Sequence, residues 1–236
     1  MRNDRYGVVR VLLGSFAAVI TAVFGGQTAH AGAVYRHGTH GVDISYPNCG
    51  VRGTGTFGVV GVNGGRPFSF NPCLRGEYAR YAHSSSSALY LNTGFEHWYT
   101  HAISPECAAS RHRRGLAYAV GCSEAATSVR HLAQMGLSEP RVWWLDVEPS
   151  NVWSGNRALN TSVLRGMMDY LDRFTSAVVG FYSLSSWWNS ITTRWKTTAP
   201  EWIPSRTRAV CPNHFSAGPV WLAQGGGARL DLDVAC

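Results

Sequence analysis

Two carboxylates lie two residues apart in an otherwise apolar run, RVWWLDVEP at residues 141–149. The run predicts a buried strand, on which Asp146 and Glu148 share one face with Cα atoms roughly 6 to 7 Å apart. The opposite face, covered by helices in a parallel sheet, then carries Trp143, Leu145 and Val147. Burying two acids is costly unless they lie at the open mouth of a barrel or anchor a neighbouring loop. We favour the first, catalytic interpretation, because acid/base sites use paired carboxylates in different environments.

The N-terminal segment, residues 1–31, has the layout of a secretory signal. Three arginines precede an apolar stretch from Val11 to Phe24, and a small-residue cleavage site ends at Ala31. The stretch is shorter than the roughly 20 residues that a spanning helix needs. We therefore expect a secreted protein of the cell envelope, cleaved near Ala31 and free of the membrane afterwards, with an uncleaved anchor as the alternative. Residues 32–236 suffice for one domain with a substantial core.

The mature chain is basic. Loss of the signal removes three Arg and one Asp, which lowers the formal net charge from +7 to +5. This charge favours association with anionic polymers without naming one, so teichoic acids, acidic glycans and nucleic acid all qualify.

The six cysteines all follow the signal, and an even number in an exported chain predicts disulfides. Many pairings are possible. We favour the sequential one, because each bond then closes a loop around one or two predicted strands: Cys49–Cys73, Cys107–Cys122 and Cys211–Cys236. No C-x-x-C pair is present, so we expect no metal site.

Short β-rich runs predict eight strands, at residues 41–45, 57–63, 88–92, 142–148, 177–183, 201–204, 219–223 and 229–234. Helical periodicity is clearest at 123–135 and 160–174. Only 53 residues follow Ser183, too few for three full strand–helix units of about 30 residues each. We therefore expect an α/β fold in a single domain, residues 32–236. It is a TIM-like (β/α) barrel with fewer helices than strands, trimmed in its C-terminal part.

Four short motifs follow one another along the chain: GVDIS at 41–45, DVE at 146–148, VGFYS at 179–183, and Trp221 and Gln224 followed by DLD at 231–233. The set resembles the family 25 glycoside hydrolases, lysozymes that cut bacterial peptidoglycan, or the wider glycoside-hydrolase-like set of exported actinobacterial proteins. The family's strands carry G-[IVF]-D-[VI]-S, D-x-E, G-[IV]-Y-[ST], and W-Q followed by D-x-N. Asp233 stands where the family usually has Asn, and segments 63–75 and 107–122 have no counterpart.

The resemblance implies a secreted, muramidase-like enzyme that cleaves peptidoglycan with carboxylates at the C-terminal mouth of the barrel. Glu148 would donate a proton to the leaving oxygen, while Asp146 stays ionised and supports the N-acetyl group or the developing positive charge. Asp43 and Asp231 would complete the catalytic set, because the first and last strands are neighbours in a closed barrel. No cofactor is implied.

Aromatic and amide side chains near strand ends are candidate contacts for the sugar. We expect the substrate-binding residues to be Tyr182, Trp153, Asn92, Gln224 and Asp233. Most other rings near strand ends or loops are expected to serve packing: Trp98, Tyr99, Trp187, Trp188, Trp195 and Trp202.

The expected partner is peptidoglycan or another cell-wall polysaccharide, bound by a monomer, with no nucleic-acid partner. Anionic wall polymers are possible additional partners of the basic run 111–114, although such runs are usually solvated faces. The alternative function is a non-catalytic barrel of the same fold that binds envelope glycans or a protein partner. Its acids would then bind sugar hydroxyls without cleaving a bond.

Overall fold

The computed structural model describes residues 34–82, 84–205, 211–227 and 229–236, so the expected secretory signal lies outside the described residues. In this part of the chain eight strands form a closed barrel in chain order. They are β1 His40–Ile44, β2 Phe57–Gly61, β3 Ala88–Asn92, β4 Val142–Asp146, β5 Val178–Tyr182, β6 Glu201–Pro204, β7 Val220–Gly225 and β8 Asp231–Ala235. Neighbouring strands are parallel from β1 to β7, whereas β8 is antiparallel to both β7 and β1. The predicted eight strands and α/β barrel are confirmed.

The described part of the chain has fewer α-helices than strands: α1 Leu74–Tyr78, α2 Pro105–Arg114, α3 Leu116–Gln134, α4 Arg157–Phe174 and α5 Ser185–Ile191. Short 3-10 turns lie at Tyr46–Asn48 and His97–Ala102. Helices α3 and α4 correspond to the two predicted helices, except that α3 ends at Gln134, one residue before the predicted end. Among the described residues no α-helix follows β6 or β7, as expected for a barrel trimmed in its C-terminal part. None of the described helices has the length and apolar character that crossing a membrane requires.

The segment between Cys107 and Cys122 is helical, although the sequence patterns predict neither a strand nor a helix there. Pro105 occupies the first turn of α2, where its missing N–H costs no hydrogen bond. Gly115, with φ of 91°, separates α2 from α3 in a conformation that favours glycine. The basic run 111–114 is therefore the exposed last turn of α2, where cations complement the helix dipole.

Three disulfides join the cysteines in sequential order, which confirms the favoured pairing. Cys107–Cys122 links α2 to α3, and Cys49–Cys73 links the segments that follow β1 and β2. Cys211–Cys236 ties the last residue to the segment that precedes β7.

Side chains of the strands alternate between two apolar layers. On β4, Trp143 and Leu145 pack in the layer between barrel and helices, whereas Trp144 packs inside the barrel. Large rings fill this interior: Tyr35, Phe57, Trp144, Trp202 and Trp221. The ring centroids of Trp144 and Trp202 are 5.9 Å apart. Because the interior is packed with side chains, ligand chemistry is restricted to the barrel mouth.

Candidate active site at the barrel mouth

An open cavity of about 170 Å³ lies at the carboxyl ends of the parallel strands. It is lined by Asp43, Tyr90, Asn92, Asp146, Glu148, Tyr182, Trp202, Gln224 and Asp231. The structure thus brings together the four acids that the sequence places on, or just after, the first, fourth and eighth strands. No Lys, Arg or His is among these described lining residues. The described lining is therefore strongly acidic and carries no counter-ion of its own.

Asp43 and Asp231 lie directly opposite each other in the antiparallel pairing of β1 with β8. Like charges in this position destabilise a sheet. No cationic side chain in the described lining offsets this repulsion. Residues that lower stability in this way are often retained because they have a function.

Glu148 lies in a turn, because β4 ends at Asp146, two residues earlier than predicted. The N–H of Val147 still donates to the carbonyl of Tyr182 at 2.9 Å. The carbonyl of Glu148 instead accepts from the N–H of Asn151 at 3.2 Å and from Nε1 of Trp153 at 2.8 Å. These bonds fix the half-buried Glu148 beside Asp146 at the edge of the cavity.

The carboxyl group of Asp146 is buried and only half satisfied. Its Oδ2 accepts from Nδ2 of Asn92 at 2.7 Å and from Nδ2 of Asn151 at 3.4 Å. Its Oδ1 is buried and receives no hydrogen bond from the described residues. Burial, the charge of Glu148 and the charge of Asp43 raise the pKa of Asp146 well above its usual range, against the two amide donors. This differs from the expectation that Asp146 simply stays ionised.

A chain of hydrogen bonds crosses the other side of the cavity. The hydroxyl of Tyr182 donates to Oε1 of Gln224 at 2.6 Å, and Nε2 of Gln224 donates to Oδ2 of Asp43 at 2.9 Å. Burial raises the pKa of Asp43 to about 7, and the charges of Asp231 and Glu148 add to it, while the Gln224 amide opposes the shift. Asp43 is therefore an acid whose proton occupancy changes near neutral pH.

Comparison with solved structures finds proteins with the same fold, whereas neither a protein-family model nor a curated protein matches the sequence. The modular autolysin LytC from Streptococcus pneumoniae superposes with a TM-score of 0.57 at 13% identity, over 85% of this chain and 47% of that chain. A muramidase from Trichobolus zukalii superposes with a TM-score of 0.56 at 15% identity, over 84% of this chain and 93% of the muramidase. A family GH25 lysozyme from Aspergillus fumigatus superposes with a TM-score of 0.53 at 13% identity, over 84% of this chain and 93% of the lysozyme. The fold is that of the GH25 lysozymes. The chain spans about half the length of the pneumococcal autolysin.

Two of the expected substrate-binding residues lie outside the cavity lining of this GH25 fold. Trp153 packs against the outer apolar layer and holds the Glu148 turn through its Nε1. Asp233 is fully buried on β8, and its Oδ1 accepts from Nε1 of Trp202 at 2.8 Å. Burial, followed by the charge of Asp43, raises the pKa of Asp233 well above its usual range. Trp153 can thus act on a ligand through Glu148, and Asp233 through Trp202 or the charge of Asp43.

Tyr90 and Trp202 line the cavity but are not among the residues that the sequence singles out as substrate-binding. Tyr90 lies two residues before Asn92 on β3, so strand alternation could have found it. Burial, with the neighbouring acids, raises the pKa of Tyr90 and of Tyr182. Both hydroxyls therefore stay protonated. Tyr182 already donates its proton to Gln224, so it offers a ligand an acceptor, whereas Tyr90 can donate a hydrogen bond to a ligand.

Among the described residues, one group of potential metal ligands is close enough to share an ion: Cys49, Cys73 and Glu77. The two cysteines are joined in a disulfide, and zinc and similar ions bind thiolates. This cluster therefore does not provide a metal centre in the oxidised protein.

Proposed function

We propose that this chain is an exported glycoside hydrolase that cleaves the glycan strands of peptidoglycan. The observation that carries the proposal is the convergence of Asp43, Asp146, Glu148 and Asp231 on one open cavity at the mouth of a GH25-type barrel. Proteins with this fold include a muramidase, lysozymes and an autolysin seen with a synthetic peptidoglycan ligand.

Hydrolysis of a glycosidic bond needs a proton donor and an anion at the same cleft. Glu148, half-buried at the edge of the cavity, is the proposed donor. Because the charge of Glu148 raises the pKa of Asp146, the two carboxyls disfavour the doubly ionised state. In the free protein the raised pKa of Asp146 therefore favours a proton on Asp146. The proposed reaction needs the negative charge on Asp146, and positive charge that develops beside it in the transition state favours that ionised form.

Asp146 is the proposed support for the substrate's N-acetyl group or for the developing positive charge. Its Oδ2 is occupied by Asn92 and Asn151, whereas its buried Oδ1 has no described donor. A buried acceptor of this kind favours a donor on the ligand, such as an amide N–H, because an unsatisfied polar atom is costly. Asp43 and Asp231 complete the negative wall that stabilises positive charge in the transition state.

The remaining lining residues suit a sugar. The rings of Tyr182, Trp202 and Tyr90 offer apolar surface, and the Tyr90 hydroxyl offers a protonated donor. The amides of Asn92 and Gln224 offer further hydrogen bonds. We assign Trp153 and Asp233 to the support of this site, since each bonds to a group at the cavity without lining it.

Export, the wall location and the monomeric state remain proposals. Three disulfides in a small domain are typical of proteins that mature outside the reducing cytosol, and the sequence predicts a secretory signal. The exposed basic turn of α2 is a candidate contact for anionic wall polymers, with Arg114 in an exposed ion pair with Asp169 at 3.6 Å.

A cell-wall clearing assay tests the proposal. Wild type should lower the turbidity of purified walls, and Glu148→Gln should abolish the clearing because the amide cannot donate the proton. Glu139→Gln is the matched control, since Glu139 is exposed and bonds Ser176 away from the cavity. It should clear walls like wild type. Equal clearing by Glu148→Gln would refute the assignment.

The competing function, a glycan-binding barrel without catalysis, predicts a different pair of results. Wild type would sediment with the walls, and no reducing ends would appear in the supernatant. Clearing by wild type excludes this alternative.

A further inference from the structure

Glu124 is a buried acid on α3, outside the cavity, for which the proposed chemistry has no use. Its side chain is 2% exposed. Its Oε2 accepts from the N–H of Phe68 at 2.6 Å, and its Oε1 accepts from Nδ2 of Asn63 at 3.4 Å. Phe68 has φ of 57°, a left-handed conformation that a bulky residue seldom adopts. Glu124 therefore stabilises an unfavourable backbone and an amide at the same time.

Asn63 connects this acid to the cavity. Its Oδ1 accepts from the N–H of Asn92 at 3.1 Å, and its Nδ2 donates to the carbonyl of Asn92 at 2.9 Å. The amide thus clamps the backbone of Asn92 from both sides. Asn92 in turn donates from Nδ2 to Oδ2 of Asp146 at 2.7 Å. An unbroken series of contacts links Glu124 to the catalytic carboxyl pair.

We propose that Glu124 is a positioning residue for Asp146, acting through Asn63 and Asn92. This inference rests on the proposed glycosidase function for its kinetic consequences, but not for its structural ones. The ionised carboxylate has only acceptors, so it accepts from Asn63 and from Phe68 together and fixes which end of the Asn63 amide faces Asn92. Burial raises the pKa of Glu124 to about 7, against these hydrogen bonds, so this arrangement belongs to the ionised form that prevails above that pH.

Glu124→Gln breaks this arrangement while keeping the shape of the side chain. If the new amide oxygen accepts from Phe68, its NH₂ faces the NH₂ of Asn63, and two donors cannot pair. Rotation of the Asn63 amide would relieve that contact but would set its NH₂ against the N–H of Asn92. Both of these outcomes loosen Asn92 and weaken its hydrogen bond to Asp146. The opposite orientation of the glutamine amide, with its oxygen accepting from Asn63, is disfavoured because it sets the NH₂ against the N–H of Phe68, which in the wild type donates at 2.6 Å.

The experiment measures the carboxyl carbon of Asp146 by NMR while the pH is varied. The bond from Asn92 favours the charged form of Asp146, so losing it raises the pKa of Asp146 further. The charged groups that act on Asp146, Glu148 and Asp43, are unchanged in the variant. Asn63→Ala, which removes the link but leaves Glu124 with Phe68, should shift the titration in the same direction.

Kinetics on purified walls provide the second readout. We expect Glu124→Gln to lower kcat by about 10- to 100-fold, as small displacements of reacting groups do, with KM nearly unchanged. The acidic limb of the kcat profile should move to higher pH, because Asp146 then loses its proton at higher pH. A loss caused by partial unfolding alone would lower the active fraction without moving that limb.

Glu77→Gln is the matched control. Glu77 is another buried acid that accepts from an amide, Nδ2 of Asn71, which also donates to the carbonyl of Gly61. This pair does not contact the cavity lining. Glu77→Gln should lower the thermal stability without changing the pH at which Asp146 titrates.

An Asp146 titration that stays unchanged in folded Glu124→Gln and Asn63→Ala would overturn the inference. Inactive wild type, by contrast, would refute the proposed glycosidase function alone, because the NMR titration does not require turnover.

Discussion

Asp233→Asn is expected to make the protein's stability less dependent on pH. Asp233 is fully buried, its Oδ1 accepts from Nε1 of Trp202, and its Oδ2 has no described donor. Burial and the charge of Asp43 raise its pKa well above the usual range. The folded chain therefore keeps a proton on Asp233 at pH values where the unfolded chain has lost it.

The sign follows from proton linkage. The stabilising effect of the protonated Asp233 is fully present below the unfolded pKa of about 3.9. Above it, the folded state binds more protons than the unfolded state, so the free energy of unfolding falls by about 1.4 kcal/mol for each pH unit, until the folded pKa is passed. Asn keeps the acceptor for Trp202 and carries no titrating proton, so this contribution to the slope disappears.

Urea unfolding of wild type and Asp233→Asn, with the disulfides intact, measures this difference at several pH values from 4 to 8. The variant should gain stability relative to wild type by about 1.4 kcal/mol per pH unit over the first part of that range. A constant difference between the two proteins across the range would show that Asp233 is ionised in the folded state, and the reasoning would be wrong.

Two further predictions concern packing and the cavity. Gly121→Ala should lower the free energy of unfolding by about 1 to 3 kcal/mol, measured by thermal unfolding, because the alanine Cβ would overlap the carbonyl of Val163 on α4. Gly76→Ala, whose Cβ would meet nothing within 4 Å, should be neutral or slightly stabilising. Equal losses of stability in the two variants would contradict the packing argument. Gln224→Leu should raise the pKa of Asp43 above about 7, because the amide favours its charged form; an NMR titration that moves the other way would show that the amide does not donate to Asp43.

The eight strands and the meeting of the four acids follow from local pattern. Period-two alternation and the position of acids at strand ends are properties of short segments, and closure of the barrel then brings Asp43, Asp146 and Asp231 together. The pattern also separates Trp143 from Trp144 correctly.

Features that depend on distant contacts could not be predicted in the same way. Alternation cannot show that Asp233 lies beneath Trp202 and not beside the ligand, because the two residues are 31 positions apart. The link from Glu124 to Asn63 spans 61 residues. Helix α2 has local sequence signals, a proline at its start (Pro105) and a glycine after its end (Gly115), and could have been predicted from them.

The most direct test of the account is the release of reducing ends from purified cell walls by wild type and by Glu148→Gln. The account predicts steady release by wild type and none above background by the variant, although both should sediment with the walls. Wild type that binds walls and releases no reducing ends, or a Glu148→Gln protein that releases them at the wild-type rate, would contradict it.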